Sequence, residues 1–193
     1  SYFSNKCEPR PFWVSTGSND VIGEVLALPN REISLVYNKE ILQRMENIIP
    51  QATAISIQEA AFSGDHKRLR SQLQMMLTQS VSFFDTAGEN FYHGFMLGLC
   101  ALMSGTFVTS NRESGDGRYD IQLKPIRKGL PGILIELKAG KNCSDEELKN
   151  MSEAALKQIS DKKYDTEMKN AGIQTIYKYG VAFSGKNVEV AVE

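Results

Sequence analysis

Several features that mark familiar protein classes are scarce or missing in this sequence. Its three cysteines lie far apart and form no CxxC pair, which argues against a disulfide framework or a zinc site and favours a reducing compartment. The most apolar run, residues 94–108, is interrupted by Ser104 and is shorter than the ~20 residues that a membrane-spanning helix needs. No secretory signal pattern opens the chain. We therefore predict a cytoplasmic protein with no membrane partner.

Common catalytic and nucleotide-binding motifs are also missing. The sequence has no GxxxxGK[ST], so it contains no P-loop for ATP, and no GxGxxG, GxSxG or HExxH pattern. With two histidines in the chain, little room is left for histidine-based hydrolysis. A formal net charge of −1 argues at first against a nucleic-acid partner, because strong binders often carry a surplus of Lys and Arg.

Composition and hydrophobic period indicate a globular chain with two halves. Hydrophobic residues make up 41% and charged residues 23% of the 193 residues, which is typical of one domain with a small appendage. The chain opens Ser-Tyr-Phe without Met, and we take it to be a fragment of a longer protein. We predict a helical region over residues 1–80 and an α/β domain over residues 81–193.

The spacing of apolar residues predicts the elements of each half. Helices are expected near residues 21–28, 38–49, 54–62 and 66–76 in the first half. The second half reads as helix 86–103, strands 106–110, 119–124 and 132–138, helix 144–171, and strands 175–184 and 187–192. Ser144, with Glu147 three residues later, is the expected cap of the long helix. This order predicts a mixed central sheet flanked by helices.

Three charged residues on the predicted strands are candidates for chemistry. Glu136 and Lys138 point to the same face of one strand, and Asp120 lies one hairpin earlier. Two neighbouring carboxylates repel each other, and a hard cation such as Mg²⁺ relieves that repulsion with oxygen ligands. A lysine beside them can serve a water that attacks phosphorus. The alternative is that Glu136 and Lys138 form an ion pair on a solvated sheet rim.

Asp120 followed by Glu136-Leu137-Lys138 has the D…(D/E)xK form and resembles the PD-(D/E)xK nuclease superfamily. The resemblance is most specific over residues 89–95, 110–121 and 135–138, which look like a branch found after an AAA-ATPase-like domain in bacterial proteins. Residues 11–20 and 28–33 are similar to the end of that ATPase-like region and its linker. The resemblance implies a restriction-endonuclease-like core, preceded by a small helical region. It departs from the pattern where Tyr119, not proline, precedes Asp120.

The resemblance also implies a set of catalytic roles. Asp120, Glu136 and the backbone carbonyl of Leu137 would bind Mg²⁺ or Mn²⁺, and Lys138 would be the catalytic lysine. Glu89, on the first core helix, would be an acid that supports the metal through water. The alternative for Glu89 is a helix N-terminal acid favoured by the helix dipole.

Five further residues are candidates for nucleic-acid contact. Gln158 and Tyr164 resemble a Gln…Tyr signature of some nuclease branches, although a spacing of six does not place them on one helical face. Arg118 would touch the scissile phosphate or hold its hairpin through Glu113. Lys124 and Lys141 belong to residues 118–141, where six basic residues stand against two acidic ones. That local surplus suits phosphate contact despite the neutral total.

Three hypotheses of function follow. The first is a metal-dependent nuclease domain that cuts DNA, working with the ATPase-like domain of its parent chain. The second is a catalytically idle nuclease-like fold that binds nucleic acid or protein. The third is a regulatory or dimerising module in which the helical half does the main work, and a homodimer is expected under it. Survival of Asp120, Glu136 and Lys138 together favours the first.

Overall fold

The computed structural model of the chain describes residues 51–80 and 89–193. These residues form five helices and seven strands within one compact unit, Ile49–Glu193. In chain order the elements are α1 (Gln51–Ser63), α2 (His66–Ser80), α3 (Glu89–Ala101), β1 (Thr106–Ser110), β2 (Glu113–Ser114), β3 (Gly117–Arg118), β4 (Ile121–Pro125), β5 (Gly132–Gly140), α4 (Asp145–Asp161), α5 (Thr166–Asn170), β6 (Ile176–Ser184) and β7 (Asn187–Val192). The helices predicted near residues 21–28 and 38–49 lie outside the described residues.

Five of the strands form one mixed sheet in the order β1-β4-β5-β6-β7. Strands β5 and β6 are parallel and are connected through α4 and α5, whereas the other three pairings are antiparallel. Strands β2 and β3 form a separate two-stranded hairpin. The predicted fold class, a mixed α/β sheet flanked by helices, is confirmed. No helix of the described ranges combines the length and the apolar character that crossing a membrane demands.

Alternation along β5 divides the sheet into two faces. Ile133, Ile135 and Leu137 pack into the main hydrophobic core with residues of α1, α2 and α3. The residues between them point to the opposite face, which α4 covers. We call this second surface the α4 face. It carries Leu134, which packs in a smaller cluster, and then Glu136 further along the strand.

Helices α1 and α2 pack directly against the sheet. Tyr179 of β6 donates a hydrogen bond to the carbonyl of Ala61 at 2.8 Å. At the outer edge of β7, Arg70 donates to the carbonyl of Val188, and the N–H of Val188 donates to the side chain of Gln74. These side chains form hydrogen bonds with backbone N–H and C=O groups that an edge strand otherwise leaves unpaired. The predicted division of the chain at residue 80 stays a prediction, but both helices share the core of the strands.

A glycine lets α4 approach the sheet closely. Gly180 of β6 lies opposite Glu136 in the parallel ladder. A Cβ atom at this position would stand 2.0 Å from the carbonyl oxygen of Ser152 and 2.5 Å from the nitrogen of Leu156. No side chain fits there, so the helix backbone packs against the strand backbone directly beside Glu136.

The predicted cap of this helix is present, but its predicted length is wrong. Ser144 and Glu147 form the reciprocal capping box. The helix ends at Asp161, however, and Lys163 adopts φ +52°, a left-handed conformation that stops helices. Tyr164 then turns into the protein, with 2% of its surface exposed, before α5 begins. Burial of this aromatic side chain outweighs the local preference for a continuous helix.

Candidate active site

Asp120 lies between the β2–β3 hairpin and β4, where it meets the middle of β5. Its Oδ2 accepts a hydrogen bond from the N–H of Leu137 at 2.8 Å. The β4–β5 ladder begins one residue later, at the pair Ile121–Ile135. Because the N–H and C=O of one strand residue point to the same side, the carbonyl of Leu137 also faces the Asp120 side of β5. Asp120 and Leu137 are therefore adjacent, and the predicted role of both as metal ligands stays a prediction.

Glu136 is a buried carboxylate with one satisfied and one unsatisfied oxygen. The residue is 3% exposed, and its Oε1 accepts a short hydrogen bond from the side-chain amide of Gln158. Its Oε2 is buried and has no hydrogen-bond partner among the described residues. Burial, with a further contribution from the charge of Asp120, raises the pKa of Glu136 to about 7, although Lys138 acts in the opposite direction. The fold therefore disfavours the charged form of this carboxyl.

Lys138 lies on the same face and is held by the same glutamine. Its Nζ donates to the Oε1 of Gln158 at 2.7 Å and is 3.6 Å from the Oε1 of Glu136. The amide of Gln158 is also 3.4 Å from the hydroxyl of Tyr164. The spacing objection to Gln158 and Tyr164 depended on one continuous helix. The break after Asp161 removes that objection and brings both residues to the site.

The β2–β3 hairpin holds Tyr164 in this position. Ser114 donates its hydroxyl hydrogen to the carbonyl of Tyr164, and the N–H of Asp116 donates to the carbonyl of Lys162, both at 2.8 Å. Between them Gly115 has φ +58°, and a Cβ atom there would lie 2.3 Å from the carbonyl oxygens of Lys162 and Lys163. The hairpin that leads into Asp120 is thus docked on the end of the helix that carries Gln158.

A histidine lies on the other side of Asp120. The Nε2 of His93, on α3, is 3.0 Å from the hydroxyl of Ser110 and 3.4 Å from the backbone carbonyl of Asp120. It therefore braces the turn that leads into Asp120. Glu89 is the first residue of α3, but its side chain is not among those described, so its predicted role stays a prediction.

The predicted phosphate-contacting residues differ in how free they are. Arg118 is exposed on β3 opposite Glu113, and these two described residues make no ion pair within 4 Å. Lys141 is exposed just after β5. Lys124, in contrast, forms a short ion pair with Glu167 of α5. Arg118 and Lys141 are available for contact, whereas Lys124 would first have to leave its partner.

Sequence reasoning missed Gln122. This residue is in the middle of β4, two positions after Asp120, and is fully buried. Strand alternation placed a polar side chain between Ile121 and Leu123 on the same face as Asp120. That pattern by itself assigns a polar side chain to the solvated face of an antiparallel sheet, so the burial of Gln122 was not predictable from it.

Comparison with known protein families supports this geometry. A profile of the PD-(D/E)XK nuclease superfamily matches residues 87–193, more than half of the chain. The chain belongs to the PD-(D/E)XK nuclease superfamily. A comparison with curated proteins gives no match to this sequence. The matched residues include every strand of the five-stranded sheet and both helices of the β5–β6 connection.

Proteins of the PD-(D/E)XK superfamily typically use divalent metals, and the residues here fit such an ion. Within the described ranges no cluster of three or more His, Cys, Asp and Glu side chains is found, so a cation would depend on Asp120, Glu136 and backbone oxygen. These are the hard oxygen ligands that Mg²⁺ and Mn²⁺ take. The buried, unpartnered Oε2 of Glu136 lacks the positive partner that a cation would supply.

Proposed function

We propose that this chain is a metal-dependent nuclease domain that hydrolyses DNA phosphodiester bonds. The observation that carries the proposal is the unpartnered Oε2 of Glu136, which lies beside Asp120 on the face that also presents Lys138. Gln158 and Lys138 both approach the Oε1 of Glu136, so the Oε2 is left for a cation. This arrangement supports a cation site with a lysine at its rim.

Each residue of the site has a distinct part in the proposal. Asp120, Glu136 and the carbonyl of Leu137 would hold Mg²⁺ or Mn²⁺. The ion, when bound, stabilises the negative charge that develops on the phosphate. Lys138 orients the water whose oxygen attacks phosphorus as the bond to the sugar oxygen breaks. Gln158 fixes Lys138 by accepting a hydrogen bond from its amine.

Substrate contact is proposed for the surface around this centre. Arg118 precedes Asp120 by two residues, Lys141 follows Leu137 by four, and both are exposed. Phosphate binding by exposed Arg and Lys is weakened by salt, because each contact displaces condensed counterions. We therefore expect salt-sensitive binding of DNA. The ATPase-like domain of a longer parent chain, a homodimer and a cytoplasmic location stay predictions.

The proposal is tested by cleavage of plasmid and linear DNA, with an RNA of the same sequence in parallel. The wild-type chain, Lys138→Ala and the control Lys149→Ala are compared in Mg²⁺, in Mn²⁺ and in EDTA. Lys149 is an exposed residue of α4. We expect metal-dependent cleavage of DNA by the wild type and the control, and a loss of about 100-fold or more for Lys138→Ala.

Two results would decide against this function. Equal cleavage by wild type and Lys138→Ala would mean that the centre lies elsewhere or that another enzyme contaminates the preparation. Absence of cleavage by all three proteins would favour the alternative, a catalytically idle nuclease-like fold. The observation behind that alternative is that Gln158 already occupies both Lys138 and the Oε1 of Glu136.

A further inference from the structure

Two buried polar atoms on the α4 face have no hydrogen-bond partner within the described part of the chain. They are the Nε2 of Gln122 and the Oε2 of Glu136. The two residues are 0% and 3% exposed, respectively. A buried polar atom without a partner destabilises the fold, because it loses its hydrogen bonds to water and gains none within the protein. Two such atoms in one small region of a sheet therefore require a common explanation.

The register of the sheet brings these two side chains to the same neighbourhood. Gln122 lies opposite Leu134 in the antiparallel β4–β5 ladder. Glu136 follows Leu134 by two residues and so lies on the same face, diagonal to Gln122. Diagonal neighbours of this kind are separated by roughly 7–8 Å between their backbones. Side chains as long as glutamine and glutamate can then approach within the span of one bridging molecule.

The other end of the Gln122 amide is already fixed. Its Oε1 accepts a hydrogen bond from the hydroxyl of Tyr119 at 3.3 Å. That hydroxyl is in turn 2.7 Å from the Oγ1 of Thr109 on β1. Because the amide group is planar, a fixed Oε1 also fixes the direction in which the two Nε2 hydrogens point. The free donor is therefore held in place by a chain of three residues.

A metal ion at Glu136 does not explain both atoms. A cation would satisfy the carboxylate oxygen, but it would repel the N–H₂ group of Gln122, which carries partial positive charge. The donor needs an oxygen. A water molecule supplies one, since it can accept from Gln122 and donate to Glu136, and a carboxylate oxygen with two lone pairs keeps one free for a cation.

We propose that a buried water joins the Nε2 of Gln122 to the Oε2 of Glu136, and that Gln122 is the positioning residue of this carboxylate. Buried waters of this type make two to four hydrogen bonds to polar groups that otherwise have none. The role rests on the proposed function, in which Glu136 holds a divalent cation. Gln122 is fully buried and so acts through Glu136 without touching substrate.

The water itself is tested in a crystal structure of the wild-type chain at a resolution that shows ordered solvent. We expect one peak within hydrogen-bonding distance of both the Gln122 Nε2 and a Glu136 oxygen. An empty space between the two side chains, or a protein group bonded to the Gln122 Nε2, would overturn the proposal. This readout does not require that the protein cleave DNA or bind metal.

The positioning role is tested by titrating Mn²⁺ without nucleic acid, followed by electron paramagnetic resonance. Wild type is compared with Gln122→Met, which keeps length and burial but removes the donor, and with the matched control Gln74→Met. Gln74 lies on α2, and its side chain bonds backbone groups of Lys186 and Val188 at the edge of β7. We expect Gln122→Met to weaken Mn²⁺ binding by about 10- to 100-fold, as loss of a ligand's hydrogen-bond partner does elsewhere, and Gln74→Met to bind like wild type.

The outcomes separate this inference from the proposed function. Equal weakening by Gln122→Met and Gln74→Met, or no weakening by either, would show that Gln122 has a structural role alone. If Gln122→Met does not fold, Gln122→Leu replaces it with an apolar side chain of similar volume and no donor, and the same loss is expected. A wild-type chain that binds no Mn²⁺ would count against the proposed function, while the water peak would still decide the inference.

Discussion

Glu136 occupies a position in which folding changes its charge state. Burial and the neighbouring Asp120 raise its pKa from 4.5 to about 7. Folding therefore favours the protonated form, so the contribution of this group to stability is complete below pH 4.5 and is lost as the pH rises through about 7. In the absence of metal, a charged Glu136 above pH 7 destabilises the fold.

Replacement of Glu136 by glutamine tests the direction of this pH dependence of stability. In EDTA, the free energy of unfolding of Glu136→Gln should rise relative to that of wild type as the pH increases from about 4.5 to about 7. The difference should reach a few kcal/mol and should not increase further above about pH 7. Urea denaturation at several pH values measures the difference in the free energy of unfolding. Glu153→Gln, at an exposed position of α4, should stay within about 0.5 kcal/mol of wild type. A gain for Glu136→Gln that is the same at every pH would contradict this explanation.

For individual residues, the sequence predicted that Asp120 and Glu136 lie side by side, but it did not predict the hydrogen bonds that Gln158 makes around them. Asp120 and Glu136 could be placed side by side because strand alternation and one hairpin suffice to bring them together. The bonds from Gln158 to Lys138 and Glu136 could not be predicted. They depend on how closely a helix approaches the sheet, which no local pattern of residues encodes.

Among the elements, the β2–β3 hairpin has a role beyond connecting two strands. It donates to the carbonyls of Lys162 and Tyr164, which follow α4, and its second strand is followed by Tyr119 and Asp120. The position of Asp120 therefore depends on contacts made by Gly115 with Lys162 and Lys163. The hairpin links the start of β4 to the helix that carries Gln158.

A methyl group at position 115 should break this link. In Gly115→Ala the new Cβ meets two carbonyl oxygens at 2.3 Å, in a backbone conformation of φ +58°. We expect a loss of about 2 kcal/mol or more in the free energy of unfolding, measured by urea denaturation, together with weaker Mn²⁺ binding. Gly129→Ala is the matched control, since Gly129 has φ +90° and a methyl group there would have no atom of the described residues within 4 Å.

Comparison of the two glycine variants separates the cost of the left-handed backbone conformation from the cost of the steric clash at position 115. Gly129→Ala carries the cost of the left-handed conformation alone, about 1–2 kcal/mol, and lies in the turn between β4 and β5. It should leave Mn²⁺ binding unchanged. If both variants lose the same stability and bind Mn²⁺ equally well, the hairpin contact does not position Asp120.

Element boundaries show where local patterns are sufficient. The predicted strands 106–110 and 187–192 agree with β1 and β7, since turn residues bound each run. The predicted helix 144–171 is instead divided into α4 and α5. Its polar, helix-favouring composition continues past Asp161, but contacts with the β2–β3 hairpin and the burial of Tyr164 impose a turn there.

For the molecule as a whole, helices α1 and α2 belong to the same core as the strands. Ile57, Leu69 and Leu73 are buried in one cluster with Tyr179 and Val188. A fragment of residues 81–193 would expose this apolar surface and the outer edge of β7. The unit Ile49–Glu193 retains both helices.

We therefore expect residues 49–193 to unfold cooperatively in urea with a native near-ultraviolet circular dichroism signal. Residues 81–193 should lack that signal, bind a hydrophobic dye and elute as aggregates in size-exclusion chromatography. Cooperative unfolding of the shorter fragment, with the same near-ultraviolet spectrum as the longer one, would show that the helices are dispensable and that the core of the strands is self-sufficient.

The glycine opposite Glu136 determines how long the side chain at position 158 must be to reach the site. Gly180 brings the backbone of α4 against β6. A side chain of the length of Gln158 on that helix is therefore enough to reach Lys138. A larger residue at position 180 would move the helix outward by the thickness of its side chain, and Gln158 would then be too short. Gln158 on α4 and Gly180 on β6 are therefore structurally coupled, and neither position can be redesigned without the other.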